Sequence, residues 1–195
     1  MTAGRQGSDL TLLDGARLDV ARLDVTRLDA APAREFVAAM APLFEGAPGF
    51  LWRLAAARPF GTADGLFRGA RRVARLLPEP LQVELVDAHP RLGAPPASVS
   101  ELSFREQAYD VEEAANLASE AARERDRVAA ELERLNREYE ARFGFRYCVF
   151  VAGRPRAALI PAFEAALTQE RDHELFRALD AVVDIARDRS GTVSS

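Results

Sequence analysis

From residue 32 onward, the apolar residues of this chain recur at steps of three and four positions, the spacing of an α-helix that packs against a core. Pro48 suits the first turn of one predicted helix, Thr62 can cap the next, and Pro78 follows its end. A short buried helix then runs up to His89, where Pro90 disfavours a further helical turn. The apolar positions of these helices are Phe36, Met40, Leu43, Phe44, Leu51, Trp52, Leu54, Leu66, Phe67, Ala70, Val73, Ala74, Leu77, Leu81, Val83, Leu85 and Val86.

A loop rich in glycine and proline follows His89, and a long helical pattern then extends from Ser103 to Arg142, with a break near Asp110. Gly144 can stop this helix in a left-handed conformation. The later half of the long helix carries a regular apolar stripe formed by Val128, Leu132, Leu135, Tyr139 and Phe143.

Residues 145–151 are the strand-like run of the chain. A single strand would leave its backbone groups unpaired, so we expect this run to lie against helices as an extended connector. Pro155 then opens a helix that continues through Leu167, and Asp172 can cap a last helix. The inward positions of that last helix are Leu175, Leu179, Val182, Val183 and Ala186.

These elements predict an all-α fold, a single compact domain of about eight helices with one extended connector, over residues 32–189. Residues 1–31 differ, because Arg-Leu-Asp recurs there every five residues, which is the period of neither a helix nor a strand. Three such units cannot bury a continuous core, so we expect residues 1–31 to form a flexible extension. Residues 190–195 are expected to form a disordered tail.

Composition narrows the classes of function. The net charge is −4, so the chain lacks the broad basic surface that nucleic acid requires. No apolar run is long enough to cross a membrane, and the single cysteine and the lack of a signal-peptide pattern favour the cytoplasm. Every cationic residue is arginine, which excludes a lysine Schiff base and a P-loop lysine. Cys148 is expected to be an inert core thiol, and a homodimer is possible.

Signals for metals and cofactors are absent from the sequence. The two histidines, His89 and His173, lie far apart, and with one cysteine they form no cluster of metal-ligand spacing. There is no glycine-rich dinucleotide motif and no nucleophile elbow. We therefore expect either a cofactor-free activity on a small molecule or no catalysis, with His173 on the solvated surface.

The candidate catalytic groups lie in two neighbouring segments. His89 stands at a helix end beside a Gly/Pro loop, from which it can project into a cleft, although a helix C-terminus also favours histidine without any function. Glu106 belongs to the pattern Ser103-x-x-Glu106, which is equally a helix capping box. Gln107 can hydrogen-bond a ring amide, or it is an ordinary surface residue.

Six short stretches, in order along the chain, form a pattern that extends from about residue 33 to residue 189. They are Glu35-Phe36, Arg58-Pro59-Phe60, His89-Pro90-Arg91-Leu92-Gly93, Ser103-x-x-Glu106-Gln107, Leu135-Asn136-x-x-Tyr139-x-x-Arg142-Phe143-Gly144-Phe145 and Glu174-Leu175. Together they resemble the 2-oxo-4-hydroxy-4-carboxy-5-ureidoimidazoline (OHCU) decarboxylases of uric acid degradation. The resemblance implies an all-helical, cofactor-independent lyase without a metal.

The resemblance also implies roles for individual residues. His89 would handle the proton of the substrate hydroxyl, and Glu106 would orient His89 or the ureido group. The substrate itself carries a ring C=N bond that accepts the electron pair when CO₂ leaves, and protonation on one face would give (S)-allantoin. The residues implied to bind the substrate are Gln107, Pro90, Ser103, Phe145 and Arg58.

One position of the family pattern differs in this chain. The family has Arg-Leu-x-Asn where residues 166–169 read Ala-Leu-Thr-Gln, and Arg171, five residues beyond Ala166, lies about 140° further around a helix. Either Arg58, Arg91 or Arg146 supplies the missing charge, or the substrate differs, or the activity is lost. The alternatives to OHCU decarboxylation are an enzyme for another small ring or carbon acid and a non-catalytic helical interaction module.

Overall fold

The computed structural model describes residues 23–94, 100, 103, 107 and 119–192. In these ranges eight α-helices and two 3₁₀ helices occur and no β-strand, so the all-α prediction is confirmed. The α-helices are α1 (Val25–Ala30), α2 (Ala33–Met40), α3 (Pro48–Ala56), α4 (Ala63–Leu76), α5 (Glu79–Asp87), α6 (Ser119–Phe143), α7 (Ile160–Ala166) and α8 (Arg171–Thr192), and the 3₁₀ helices are Ala41–Phe44 and Arg156–Leu159.

Helix α8 is the central element of the core. It packs against α4, α5 and the first 3₁₀ helix, while α2 packs against α3. Burial of one large aliphatic side chain stabilises a fold by about 1.5–3 kcal/mol, so this apolar face contributes strongly to stability. The five positions predicted to face inward on α8 are all buried: Leu175, Leu179, Val182, Val183 and Ala186.

The local signals at the helix ends are largely confirmed. Pro48 opens α3, and the Thr62 hydroxyl accepts a hydrogen bond from the backbone N–H of Gly65 at 3.0 Å at the start of α4. Gly144, with φ of 79°, follows the end of α6. Asp172 does not cap α8 as predicted, because α8 already begins at Arg171, and Asp172 lies within its first turn.

The predicted extended connector, residues 145–151, runs between α6 and the second 3₁₀ helix without joining a sheet. Side chains pair its backbone instead: Arg177 donates to the Cys148 carbonyl at 2.9 Å, and Arg154 donates to those of Phe150 and Val151. The connector can therefore be extended and still satisfy its polar groups. It carries Tyr147 into an aromatic cluster whose other members are Tyr139, Phe143, Phe145 and Phe163.

The helical domain begins earlier than the predicted boundary at residue 31. Helix α1 lies within the predicted extension, yet Leu28 is buried in the core. The carboxylate of Asp29 accepts from the backbone N–H groups of Phe60 and Gly61 at 2.8–3.0 Å, and Arg58 donates to the Leu28 carbonyl at 2.9 Å. Residues 1–22, which include the first of the three five-residue units, lie outside the described residues.

At the other end, α8 continues to Thr192, so residues 190–192 are helical rather than part of the predicted tail. Residues 193–195 are outside the described part of the chain. A search of the described helices for one with the length and apolar character needed to cross a bilayer finds none.

Candidate active site

His89 follows the C-terminal end of α5 and is buried, with 3% of its surface exposed. Its Nδ1 lies 3.3 Å from the Leu85 carbonyl oxygen one turn earlier, so Nδ1 carries the proton of the neutral ring and donates it there. Nε2 is also buried and has no hydrogen-bond partner within the described residues. Within the described part of the chain, the lone pair of this basic nitrogen therefore has no hydrogen-bond partner.

The extended connector fastens the end of α5 that carries His89. The guanidinium of Arg146 donates to the carbonyl oxygens of Asp87 and His89 at 2.7 and 3.1 Å. The backbone N–H of Arg146 donates to the Asp87 carboxylate at 2.8 Å. These contacts satisfy orphan carbonyls at the helix C-terminus and restrict the direction of the His89 side chain.

A pocket that is partly open to solvent lies at His89, and the space within it, open solvent included, is about 280 Å³. The end of α5, the loop that follows it, the connector and α8 all contribute to its wall. Its lining residues in the described part of the chain are His89, Pro90, Leu92, Gln107, Tyr147, Cys148, Val149, Val151 and Ile185. Most of them are apolar and none carries a carboxylate or a guanidinium, so His89 is the main acid–base group among them.

Gln107 joins the pocket to the loop after His89. Its side-chain oxygen accepts from the Gly93 N–H at 3.0 Å, and its side-chain nitrogen donates to the Arg91 carbonyl at 3.4 Å. From the other side, Asn136 on α6 donates to the Leu92 carbonyl at 3.0 Å. The two carboxamides together hold the pocket-lining loop in place.

Ser103 is fully buried and is not among the described residues that line the pocket. Instead Ser103 Oγ donates to Glu45 Oε1 at 2.6 Å and accepts from Arg189 Nη2 at 2.8 Å. Arg189 Nη2 also donates to Glu45 Oε1 at 2.8 Å. We call Glu45, Ser103 and Arg189 the buried polar cluster. Glu106, the second predicted catalytic residue, lies outside the described residues.

The buried polar cluster also sets the electrostatics at His89. Burial above all, and then the positive charge of Arg189, lower the pKa of His89 from 6.5 to about 4, although Glu45 and the Leu85 carbonyl act in the opposite direction. Burial raises the pKa of Glu45, but the Ser103 hydrogen bond and Arg189 outweigh it, so its pKa lies below the usual value. Near neutral pH the site therefore combines a neutral imidazole with an ionised Glu45.

The low pKa of His89 predicts a pH-dependent stability. Between pH 6.5 and about 4, the unfolded chain binds a proton at this residue that the native state excludes. The free energy of unfolding should therefore fall as the pH drops through this window, by a total of about 3 kcal/mol from this group. Urea unfolding of the parent and of His89→Asn across the window measures the difference. Equal pH dependence in the two proteins would contradict a neutral buried His89.

Besides Ser103, two further residues predicted to bind substrate, Arg58 and Phe145, are not among the described residues that line this pocket. The Arg58 guanidinium donates to the carbonyl oxygens of Ala55, Leu28 and Ala31, because it secures α1 against the domain. Phe145 is buried in the aromatic cluster, where Arg171 lies over its ring at 5.6 Å. Both side chains are thus committed to packing and to backbone hydrogen bonds. Pro90 and Gln107, in contrast, do line the pocket.

The arginines considered as replacements for the missing family arginine are engaged elsewhere. Arg91 forms a two-pronged contact with Glu140 at 2.5 and 2.7 Å, and Arg146 and Arg58 bind backbone carbonyls. Ala166 itself is buried in α7. The described lining of the pocket therefore gains no guanidinium from any of these three residues.

The sequence reasoning missed Glu45 and Arg189 and misjudged Cys148. Arg189 lies four residues after Ile185 and three after Ala186, on the inward face of α8, so its spacing was a readable signal. Glu45 carries no such pattern. Cys148 is buried as predicted, yet it also lines the pocket, whereas His173 is 67% exposed as expected of a surface residue.

A helical domain whose described residues leave a buried imidazole nitrogen without a hydrogen-bond partner, in a pocket lined mostly by apolar side chains, is the kind of site that supports acid–base chemistry on a small organic molecule. The profile of the OHCU decarboxylase family matches residues 29–191, and the chain belongs to this family. The resemblance found in the sequence is thereby confirmed.

Two curated relatives align with most of the chain. The uric acid degradation bifunctional protein PucL of Bacillus subtilis is 32% identical over 147 residues, which are 75% of this chain and 28% of PucL. The 2-oxo-4-hydroxy-4-carboxy-5-ureidoimidazoline decarboxylase of Haloferax volcanii is 29% identical over 151 residues, 77% of this chain and 84% of that protein. The chain therefore spans little more than a quarter of PucL but most of the second relative.

Solved structures share the fold. The crystal structure of an OHCU decarboxylase in the presence of (S)-allantoin superposes with a TM-score of 0.58 at 20% identity, covering 79% of this chain and 95% of that one. The crystal structure of an (S)-allantoin synthase gives a TM-score of 0.56 at 16% identity, covering 87% of this chain and 53% of that one. At these identities the likeness establishes the helical architecture.

Proposed function

We propose that this protein is a cytoplasmic enzyme of uric acid degradation that decarboxylates OHCU to (S)-allantoin without a cofactor, with His89 as its acid–base residue. Membership of the OHCU decarboxylase family supports the reaction class. The single observation that carries the assignment to this site is the buried Nε2 of His89, which has no partner among the described residues and belongs to the pocket lining.

The reaction needs few protein groups because the substrate supplies its own electron sink. The bond between the ring carbon and its carboxylate breaks, CO₂ leaves, and the electron pair moves into the adjacent C=N bond. The ring nitrogen that receives this pair takes up a proton from solvent. The hydroxyl on the same ring carbon loses its proton and becomes a carbonyl, while the carbon that bears the ureido group gains a proton. The protein's task is to orient the carboxylate and to guide these proton transfers.

His89 is suited to accept the hydroxyl proton. Its Nδ1 is occupied by the Leu85 carbonyl, so Nε2 is the nitrogen that can act as the base. A pKa of about 4 makes the ring neutral before substrate binds. The carboxylate of a bound substrate would raise this pKa, because a nearby negative charge favours the protonated imidazole, and would thereby make His89 a better base during the reaction.

The walls of the pocket favour the loss of CO₂ in another way. Leu92, Val149 and Val151 line it, and such walls exclude water and strengthen electrostatic interactions between His89 and the substrate. Gln107 lies in the same lining and offers its carboxamide to the ring of a bound substrate. Glu106 keeps the predicted role of orienting His89 or the ureido group.

A second candidate function is supported by the arginine-free lining of the described pocket. An enzyme of the same family that acts on another small ring or carbon acid would retain His89 and would not require the missing guanidinium at Ala166. Such a substrate would carry less negative charge than OHCU, because the described pocket wall offers it no cation.

The test is turnover of freshly generated OHCU, followed by its ultraviolet absorbance and by the circular dichroism of the allantoin formed. We expect decay well above the spontaneous rate and a single enantiomer, (S)-allantoin, in buffer without added metal or cofactor. Decay at the spontaneous rate with a racemic product would contradict the proposal and would favour the second candidate function.

A further inference from the structure

Arg177 on α8 connects the core of the domain to one wall of the pocket. Its Nε donates to Glu174 Oε2 at 2.8 Å, and its Nη1 donates to the Cys148 carbonyl at 2.9 Å. Glu174 is 1% exposed and also accepts from the Tyr139 hydroxyl on α6 at 2.9 Å. A series of hydrogen bonds therefore leads from α6 through two side chains of α8 to the extended connector.

The part of the connector that Arg177 reaches forms a wall of the pocket. The connector residues that line the pocket are Tyr147, Cys148, Val149 and Val151. The Arg177 guanidinium also lies over the Tyr147 ring, 4.7 Å from its centroid, so it contacts two adjacent residues of this wall. The position of the wall relative to His89 therefore depends on where α8 places Arg177.

Arg177 differs from the two arginines that belong to the connector loop itself. Arg146 fastens the first residues of the connector to the end of α5, and Arg154 donates to the carbonyls of Phe150 and Val151 just before it. The contact of Arg154 is local, so it shapes the loop without fixing it to another element. The hydrogen bond from Arg177 spans 29 residues of chain and ties the middle of the connector to the helical body.

We infer that Arg177 is a positioning residue, which holds the wall formed by Tyr147 and Cys148 at the place relative to His89 that the reaction requires. This inference rests on the proposed function, because it assigns Arg177 to the placement of that site. A guanidinium suits the task, since its planar fork binds a carboxylate and a carbonyl at once in a fixed geometry.

A test must separate the position of the wall from the stability of the fold. Removal of Arg177 takes the counter-charge from the buried carboxylate of Glu174, and breaking a buried ion pair destabilises a protein whatever its function. A variant that keeps the positive charge and changes only the geometry is therefore the most informative one.

Two variants and a matched control make this separation. Arg177→Lys keeps a positive charge beside Glu174, but one ammonium group cannot reproduce the fixed fork to Glu174 and the Cys148 carbonyl. Arg177→Met removes the charge and both hydrogen bonds. The control is Arg71→Lys, because the side chain of Arg71 is 33% exposed against 29% for Arg177 and pairs with Asp180 of the same helix. Neither Arg71 nor Asp180 is among the described residues that line the pocket.

The first readout is steady-state kinetics of OHCU decarboxylation by the full chain. We expect Arg177→Lys to lower kcat/KM by about 10-fold and Arg177→Met by about 100-fold, the effect of a small misplacement in a catalytic site. Most of the loss should lie in kcat, since a displaced wall changes the orientation of the substrate toward His89 in the reacting complex. Arg71→Lys should match the parent.

The second readout is the alkylation of Cys148, the single cysteine of the chain, by iodoacetamide, followed by mass spectrometry. Cys148 is 5% exposed, so its alkylation in the native protein requires a local opening of the connector. We expect alkylation to be about 3- to 10-fold faster in both Arg177 variants, because the loss of one hydrogen bond shifts an opening equilibrium by this factor. Arg71→Lys should react at the parent rate.

Parent-like kcat/KM and alkylation rates in both Arg177 variants would overturn the inference, and so would equal changes in Arg177→Lys and Arg71→Lys. If Arg177→Met does not fold, Arg177→Lys decides alone by the same two measurements. The alkylation rate does not depend on turnover. A parent protein that fails to decarboxylate OHCU would therefore refute the proposed function, and the alkylation of Cys148 would still show whether Arg177 positions the connector.

Discussion

Replacement of His89 by Asn should lower kcat for OHCU by about 10²- to 10⁴-fold, the usual contribution of a positioned acid–base group. The Asn side-chain amide can still donate to the Leu85 carbonyl in place of Nδ1, so the local structure at the end of α5 is retained. What is lost is the basic Nε2, which has no other partner among the described residues. We therefore expect the substitution to lower kcat and to leave the helical structure largely unchanged.

The matched control is His173→Asn, because the other histidine of the chain is 67% exposed and lies on α8 in its first turn. We expect this variant to retain the parent kcat and KM. Steady-state kinetics on fresh OHCU, with circular dichroism spectra of both variants at pH 7, provides the comparison. A parent-like rate in His89→Asn would remove His89 from the mechanism.

Replacement of Glu174 by Ala should reduce the free energy of unfolding by about 3–5 kcal/mol, the cost of removing one partner of a buried ion pair. Glu174 is 1% exposed, and its Oε2 accepts from the Tyr139 hydroxyl at 2.9 Å and from Arg177 Nε at 2.8 Å. The variant would leave the Arg177 guanidinium, which also lies over the Tyr147 ring at 4.7 Å, without its counter-charge.

Asp172→Ala is the control for this loss of stability. Asp172 lies in the first turn of α8, as Glu174 does, but its side chain is 89% exposed. We expect its stability to lie within about 0.5 kcal/mol of the parent. Urea denaturation at pH 7 distinguishes the two variants. Similar losses in both would mean that the acidic first turn of α8, rather than the buried pair, determines the stability.

The prediction of the fold succeeded where the signal was local. The spacing of Phe36 and Met40, the cap at Thr62 and the left-handed Gly144 each depend on interactions within a few residues, and all three describe the structure correctly. The boundary at residue 31 was wrong for the opposite reason. Helix α1 is held by Asp29 and Arg58 across about thirty residues of chain, and no local pattern reports such contacts.

The residues predicted for the candidate site also fall into two groups: those with a local sequence signal and those whose position depends on tertiary contacts. His89 and Pro90 were identifiable because a histidine before a proline at a helix end has a local geometry. Arg58 and Phe145 matched the family pattern, but the structure shows that their side chains bind backbone carbonyls and pack in the aromatic cluster. A motif match reports which residues occur, and the tertiary contacts decide whether they reach the pocket.

By itself, the amino-acid sequence determined the helical class of the fold, the end of the helix that carries His89, and the family to which the chain belongs, because each follows from residue spacing or order. Only the tertiary structure shows that Arg189, Glu45 and Ser103 form a buried, hydrogen-bonded cluster outside the described pocket lining. It also decided that no guanidinium enters the described pocket lining. The physical reason is that burial and charge pairing arise between segments distant in sequence, where the chain carries no periodic signal.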